Sequence, residues 1–138
     1  MNEPALIEEI LHRSKTIAVV GLSDRKDRES FGVSRFMQSQ GYRIIPVNPL
    51  IEQALGEAAY PSLDAACAAN PAISLVDVFR APQYIPAIVN DVIRLKIPYL
   101  WLQEGVVHPA AAAKAEAAGV KVVMDRCILK EHMAASRG

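Results

Sequence analysis

Hydrophobic positions along the chain fall into five short runs separated by stretches long enough to hold a helix. The runs cover residues 17–21, 43–47, 75–79, 99–102 and 120–124. Each run is nearly continuous in apolar residues and most are rich in β-branched or aromatic side chains, a pattern typical of strands covered on both faces. The pattern therefore predicts five buried strands.

The stretches between these runs carry the periodicity of amphipathic helices. Val33, Phe36 and Met37 share one face of a predicted helix that begins near Ser30 and ends at Gly41, since glycine is favoured just past a helix end. The other predicted helices cover residues 6–11, 62–69, 82–96, 110–118 and 128–135.

Strands that alternate with helices, joined by right-handed crossovers, predict an α/β fold. We expect a three-layer, doubly wound, Rossmann-like parallel sheet of five strands in the order 3-2-1-4-5, within a single domain over residues 1–138. In that order the winding reverses between the first and fourth strands, and ligands of such sheets bind beyond the carboxyl ends at the reversal. Residues 21–29 and 103–107 are the loops predicted there.

Composition limits the partners of this chain of 138 residues. Lys and Arg number 15, as do Asp and Glu, and 51% of residues are hydrophobic. Zero net charge argues against a broad surface for nucleic acid or anionic lipid, but not against a local anion site. The two cysteines form no CxxC pair, and neither a signal peptide nor a membrane-length apolar run is present. We expect a soluble cytoplasmic protein with reduced thiols.

The loop after the first strand has the position and the chemistry of an anion site. It carries Arg25, Lys26 and Arg28, balanced by three acidic residues, and leads directly into the helix predicted at Ser30. The N–H groups and the positive dipole end of a helix start favour an anion, and the Ser23 hydroxyl can add a donor. These features favour anion binding over a merely solvated loop.

The loop departs from the dinucleotide fingerprint G-x-G-x-x-G, which is followed about 20 residues later by an acid that binds the ribose hydroxyls. Gly21 is followed two positions later by Ser23, and the next glycine is Gly32. The second strand ends in Val-Asn-Pro at residues 47–49, without a carboxylate. The missing carboxylate disfavours NAD and leaves a phosphorylated ribose open.

Five sequence segments in order resemble a known family. They are Val-Gly-Leu-Ser at 20–23 with Arg25 and Arg28, Val-Asn-Pro at 47–49, Val-Asp-Val-Phe-Arg at 76–80, Leu-Trp-Leu-Gln at 100–103 and Val-Met-Asp-Arg-Cys at 123–127. Together they resemble the stand-alone CoA-binding proteins, which are similar to the nucleotide-binding domain at the start of the succinyl-CoA synthetase alpha subunit. The resemblance runs from about Leu6 to His132.

The resemblance implies that the chain binds coenzyme A or an acyl-CoA. Because the sequence shows no catalytic triad, paired carboxylates or metal cluster, we expect binding without catalysis of its own and without a metal. We expect a monomer or homodimer, with an acyl-CoA enzyme as a candidate partner. Lys26 stands where relatives commonly carry proline. The residues implied to contact the ligand are Gly21, Leu22, Ser23, Arg25, Arg28 and Ser30 around the phosphates, Asn48, Pro49, Phe79 and Arg80 on the adenosine side, and Gln103 at the crevice floor.

Three further residues could carry chemistry, and each has a structural interpretation that we favour. Cys127 could form a mixed disulfide with the CoA thiol, but a buried core side chain is favoured. His108 is favoured as a surface or capping residue over a phosphorylated histidine. Asp77, inside the third strand, is expected to bond a backbone N–H or an arginine, because a buried carboxylate needs a partner.

Two other functions stay open from the sequence. The same fold could serve a nicotinamide-dependent, NAD(P)-binding oxidoreductase or redox sensor, although the sequence shows no ribose-binding acid and no second substrate domain. The chain could also be a subunit that completes an acyl-CoA synthetase in trans. A dinucleotide released from the purified protein would favour the former, and capture of an ATP-grasp protein would favour the latter.

Overall fold

The five predicted strands lie side by side in one parallel sheet. The computed structural model describes residues 1–137. The sheet contains β1 (Thr16–Val20), β2 (Arg43–Val47), β5 (Ile73–Val78), β6 (Tyr99–Leu102) and β7 (Lys121–Met124). A separate antiparallel pair follows β2 and consists of β3 (Gln53–Ala54) and β4 (Glu57–Ala58). The predicted strand bounds differ from the observed ones by at most two residues.

Helices cover both faces of the sheet, which gives the predicted three layers. They are α1 (Pro4–Arg13), α2 (Glu29–Ser39), α3 (Leu63–Ala69), α4 (Ile85–Arg94), α5 (Pro109–Ala117) and α6 (Ile128–Arg137), with a 3-10 turn at Pro82–Tyr84 before α4. Within residues 1–137, no helix is both long enough and apolar enough to span a membrane. The predicted α/β class and the parallel five-stranded sheet are confirmed.

Alternation along the strands divides the core into two halves. Val76 and Val78 of β5 pack with residues of α3, α4 and α5 on one face. Leu75 of the same strand and Trp101 of β6 pack with α1, α2 and α6 on the other face. All five residues of β1 are buried, because this strand has neighbours on both edges and helices on both faces.

The strand order differs from the prediction. The observed order is β2-β1-β5-β6-β7, so the third long strand lies between the first and the fourth, and the predicted order 3-2-1-4-5 is wrong. Pro46 gives the physical reason. The Arg43 N–H donates to the carbonyl of Lys15, the residue just before β1. Because successive N–H groups of a strand point to opposite sides, the backbone of residue 46 faces away from β1. Proline has no N–H to donate to a further strand on that side, so β2 is suited to the edge of the sheet.

This order moves the reversal of the winding to the gap between β1 and β5. The first crossover runs from β1 to β2 on one side, and the next runs from β2 back past β1 to β5 on the other side. The loops that diverge there begin at Gly21 and at Phe79, and the loop at residues 103–107 follows β6, one strand farther along.

The short β3–β4 pair was not predicted, because each of its strands has only two residues. Its turn places Leu55 at φ 54° and Gly56 at φ 77°, both in the left-handed region. The segment that follows covers the open edge of β2: Tyr60 donates to the Pro46 carbonyl at 3.0 Å and accepts from the Asn48 N–H at 2.9 Å. The segment after β4 thereby holds the end of β2 and the Asn48 turn in place.

The hydroxyl of Ser62 caps α3, as predicted, by accepting the Ala65 N–H at 3.1 Å. Replacing Ser62 by alanine is expected to lower the free energy of unfolding by about 1 kcal/mol, because an end N–H of the helix loses its acceptor. Urea unfolding measures this change. Ser39→Ala is the control, since the exposed Ser39 hydroxyl contacts a carbonyl of its own helix end and caps no N–H of a helix start. Equal losses in both variants would show that the cap contributes nothing.

Candidate functional site

Two adjoining cavities open where the carboxyl ends of β1 and β5 diverge. Their volumes are about 370 Å³ and about 400 Å³, and they share Gly21 and Phe79 as a common wall. The first is lined by Gly21, Ser23, Arg25, Arg28, Glu29, Ser30 and Phe79, and the second by Gly21, Val47, Asn48, Pro49, Leu50, Phe79 and Arg80. The crevice was predicted between the first and fourth strands, and this position is wrong because those strands are not neighbours.

Gly21 fixes the approach of β1 to its two neighbours. Its N–H donates to the Val47 carbonyl at 2.9 Å, and Phe79 N–H donates to the Val20 carbonyl at 2.9 Å. Gly21 has φ +86°, and a Cβ at this position would overlap the Phe79 carbonyl oxygen. Only glycine therefore fits at the wall between the cavities.

The loop of the first cavity folds back onto the start of α2. Ser23 N–H donates to Ser30 Oγ at 3.0 Å, and Arg25 N–H donates to Ser23 Oγ at 3.1 Å. Both hydroxyls act here as acceptors, so each retains its own proton for donation. The loop thus presents two hydroxyl donors to a bound anion while its backbone is held by the same two side chains.

The start of α2 leaves backbone donors at the same cavity. Arg28 is the N-cap residue and its side chain makes no capping bond. The N–H groups of Glu29 and Ser30 have no acceptor among residues 1–137. Two unpaired N–H groups at the positive end of a helix form a site for a phosphate-like anion.

The charges around the first cavity oppose one another. Arg25 pairs with Asp27 at 3.3 Å, whereas Arg28 is exposed and has no ion pair among the described residues. The Glu29 carboxylate also lines the cavity and would repel an anion. Anion binding therefore depends on the direction of individual donors, Arg28 in particular, more than on the net charge of the loop.

The second cavity is organised by Asn48 and Arg80. Asn48 Nδ2 donates to the Leu22 carbonyl at 3.0 Å, and Asn48 Oδ1 accepts the Leu50 N–H at 2.9 Å, so this side chain ties the loops after β1 and β2 together. The Arg80 guanidinium lies over the Tyr84 ring, 3.9 Å from its centre. The ring supports the cation at the rim of the cavity.

Two of the predicted contact residues are not placed as expected. The Leu22 side chain is fully buried, so only its backbone can face the crevice. Gln103 is also buried and lines neither cavity, and its Oε1 accepts the Ile128 N–H at 3.2 Å at the start of α6. The other nine predicted residues line one or both cavities.

The residues with a favoured structural interpretation largely fulfil it. His108 caps α5, because its Nδ1 accepts the Ala111 N–H at 3.1 Å. Cys127 is buried in the core on the side of α2 and α6. Both observations match the predicted structural roles.

Asp77 meets the first alternative of its prediction, because the Val78 backbone N–H bonds its carboxyl. It is 2% exposed, no arginine bonds it, and its Oδ1 has no partner among residues 1–137. Burial raises the pKa of this carboxyl well above its ordinary value, although the Val78 backbone N–H partly opposes the rise. Burial therefore favours the neutral form of this carboxyl, and no cationic side chain among residues 1–137 pairs with it.

Sequence reasoning missed three residues at the site. Leu50 lines the second cavity and is 89% exposed, Glu29 lines the first cavity, and Tyr84 supports Arg80. A large apolar residue directly after the Val-Asn-Pro turn was the available indication for Leu50. Tyr84 lies four residues after Arg80 in a turn whose conformation the pattern did not specify.

A comparison with known protein families shows which family the chain belongs to. The family model described as a CoA binding domain matches residues 15–133. The chain belongs to the CoA-binding domain family. The resemblance drawn from the five sequence segments is thereby confirmed, and the residues that form the crevice all lie within the matched range.

Two proteins of other organisms are similar to the chain over nearly its whole length. The uncharacterized protein YneT of Bacillus subtilis (strain 168) is 45% identical over 128 residues, which are 93% of each chain. A hypothetical protein from Pyrococcus horikoshii OT3 is 33% identical, with a TM-score of 0.88 over 96% of this chain and 91% of that one.

A larger enzyme contains the same fold. The dinucleotide-forming acetyl-coenzyme A synthetase 1 of Ca. Korarchaeum cryptofilum, in its apo form, has a TM-score of 0.71 at 16% identity. The match covers 85% of this chain but only 27% of the synthetase chain. At this identity the likeness shows a common fold.

Proposed function

We propose that this member of the CoA-binding domain family binds CoA or an acyl-CoA in the crevice between β1 and β5. The observation that carries the proposal is the pair of adjoining cavities with a shared glycine wall. One cavity offers donors for phosphate oxygens, and the other offers space and apolar contact for a nucleoside. CoA contains both parts, joined by a pyrophosphate.

The first cavity is suited to the pyrophosphate. It combines the free N–H groups at the start of α2, the Ser23 and Ser30 hydroxyls and the Arg28 guanidinium. Each of these groups donates, and guanidinium forks match phosphate oxygens in geometry as well as in charge. Gly21 permits the close approach of the ligand to the backbone.

The second cavity is suited to the adenosine end. Pro49 and Leu50 supply apolar surface, and Arg80 supplies a cation at the rim. No carboxylate lines this cavity among the described residues. A ribose that carries a phosphate is therefore not repelled here, whereas the ribose hydroxyls of NAD lack the acid that usually binds them.

The chain acts in this proposal as a binding module without catalysis of its own. The lining of the two cavities contains one carboxylate, Glu29, and neither a histidine nor a cysteine within residues 1–137. General acid–base or nucleophilic chemistry needs a second group placed against such a residue. A partner that reacts with the bound thiol would have to supply it.

Isothermal titration with CoA, dephospho-CoA and NAD tests the proposal. We expect CoA to bind most tightly, dephospho-CoA more weakly because it lacks the ribose phosphate, and NAD most weakly. If NAD bound as tightly as CoA, the proposal would be wrong. Mass spectrometry of the small molecule released from natively purified protein is an independent check.

Replacing Arg28 by alanine is expected to weaken CoA binding about tenfold, which corresponds to about 1.4 kcal/mol, and to reduce the salt dependence of binding. The exposed guanidinium has no internal partner, so its loss leaves the fold intact. Arg35→Ala is the matched control, because Arg35 lies on the same helix, packs near the Phe31 ring and lines neither cavity. Unchanged CoA affinity of Arg28→Ala at low salt would place the phosphates elsewhere.

A further inference from the structure

A third cavity lies between α4 and α5 and shares no residue with the crevice. Its volume is about 220 Å³. Pockets for drug-sized ligands measure roughly 300–1,000 Å³, so this one suits a molecule of few heavy atoms. Its lining consists of Pro86, Val89, Asn90, His108, Ala110, Ala111 and Lys114.

The walls of this cavity are apolar because small residues on α5 face a branched residue and a proline on α4. Val89 is fully buried, Ala111 is 5% exposed, and both belong to the core. Pro86 and Ala110 form the outer part of the wall. The alanines of α5 leave space that a larger side chain would fill.

The polar groups of the cavity are donors. His108 Nδ1 accepts the Ala111 N–H at 3.1 Å, so the neutral imidazole carries its proton on Nε2. Lys114 Nζ donates to Asn90 Oδ1 at 2.8 Å, which uses one ammonium proton. The Asn90 NH₂ group has no acceptor among residues 1–137. Lys114 has no ion pair among residues 1–137, and no carboxylate lines the cavity.

We propose that the cavity between α4 and α5 binds a short-chain carboxylate. The apolar tail lies against Pro86 and Val89, and the carboxylate accepts from Lys114 and from His108 Nε2. Lys114 is exposed, so its ammonium lies at the rim of the cavity, where a cation next to apolar walls favours an anion with an apolar tail over a neutral or cationic ligand of the same shape. Such a carboxylate can come from a free acid or from the distal end of a carboxyacyl group carried on CoA.

Titration of ¹⁵N-labelled protein with butyrate, 1-butanol and 1-butylamine tests the ligand class. We expect saturable shifts of the Ala110 and Ala111 amides and of the Asn90 side-chain NH₂ with butyrate, with a Kd of about 1–10 mM for so small a ligand. Butanol should bind about tenfold more weakly, and butylamine should produce no saturable shift. Equal effects of all three compounds, or butyrate shifts confined to Ser23 and Ser30, would overturn the proposal.

Variants place the ligand in the cavity. Lys114→Gln should weaken butyrate about tenfold, whereas Lys15→Gln, which changes an exposed lysine before β1, should leave it unchanged. Ala110→Leu should block binding by filling the cavity, and since Ala110 is exposed the fold should persist. Wild-type butyrate affinity in both Lys114→Gln and Ala110→Leu would contradict the assignment.

Two further measurements separate the sources of the carboxylate and keep this inference distinct from the CoA site. Shifts of Ala110 and Ala111 with succinyl-CoA but not with CoA would identify the carboxyacyl source, which rests on the proposed function. Equal shifts with free succinate would identify the free acid. Because the cavities share no residue, Lys114→Gln should bind CoA as the wild type does, and Arg28→Ala, which weakens CoA binding, should leave butyrate binding intact.

Discussion

Replacing Gly21 by alanine is expected to lower CoA affinity at least about 100-fold, or about 2.7 kcal/mol, and to destabilise the fold by about 2–4 kcal/mol. The added Cβ would overlap the Phe79 carbonyl oxygen and lie 3.1 Å from the Phe79 carbonyl carbon. Backbone at the end of a central strand cannot move aside cheaply, since Phe79 N–H also bonds the Val20 carbonyl. Relief would require the ends of β1 and β5 to separate, which deforms both cavities at once.

Gly41→Ala separates the clash from the cost of a positive φ. Gly41 has φ +98°, but a Cβ there meets no atom within 4 Å. This variant should lose about 1–2 kcal/mol, the cost of the left-handed conformation for an L-residue, and bind CoA normally. Calorimetric titration at low temperature, with circular dichroism to establish the folded fraction, gives both quantities. If folded Gly21→Ala bound CoA as Gly41→Ala does, the crevice would not be the CoA site.

The elements of the fold could be predicted because their information is local. Residues 43–47 and 99–102 read as apolar runs and are strands with those bounds. Gly41 ends the first crossover helix, and Ser62 caps α3, as their side-chain chemistry predicts. Each of these features depends on neighbours within a few residues, so the chain itself carries the evidence.

The order of the strands depends on contacts between distant segments, and the hydrophobic pattern is the same for either order. Pro46 was the local indication, because a residue without an N–H suits an edge strand better than a strand between two others. The misplaced order moved the crevice to the wrong pair of strands and placed the loop at residues 103–107 there, whereas Gln103 at the crevice floor was implied by the family resemblance. The phosphate loop was unaffected, since it follows β1, which borders the reversal in both orders.

The second cavity shows why side-chain partnerships were harder to predict than positions. Asn48 was expected beside the ligand, and it lines the cavity, but its amide nitrogen bonds the backbone of the loop after β1 and its amide oxygen bonds the backbone of its own loop. Tyr84 supports Arg80 only because the 3-10 turn at Pro82–Tyr84 returns the ring beneath the guanidinium. Such contacts depend on loop conformation, which hydrophobic periodicity does not encode.

Asp77→Asn is expected to remove a loss of stability that the wild type undergoes as the pH rises. Burial holds the pKa of Asp77 well above its ordinary value in the folded state, whereas the unfolded chain releases this proton near pH 3.9. Between these two pKa values the folded state binds one proton more than the unfolded state, so the free energy of unfolding falls as the pH rises. Each pH unit across that window costs about 1.4 kcal/mol, and asparagine, which does not titrate, avoids this cost.

The measurement is the difference in unfolding free energy between Asp77→Asn and the wild type, from urea titrations at pH values from 4 to 9. The difference should grow in favour of Asp77→Asn from about pH 4 upward and become constant above the folded pKa.

Asp64→Asn provides a control of opposite sign, because Arg94, 2.7 Å away, holds the pKa of the exposed Asp64 below its usual value. That variant should be less stable than the wild type, and this small deficit should stay nearly constant above about pH 5, because the Asp64 pKa lies below that pH in both the folded and the unfolded state. A stability difference between Asp77→Asn and the wild type that did not change between pH 4 and 9 would contradict this prediction. It would show that Asp77 is already charged in the folded protein over this range, with its Oδ1 bound by a group other than those described above.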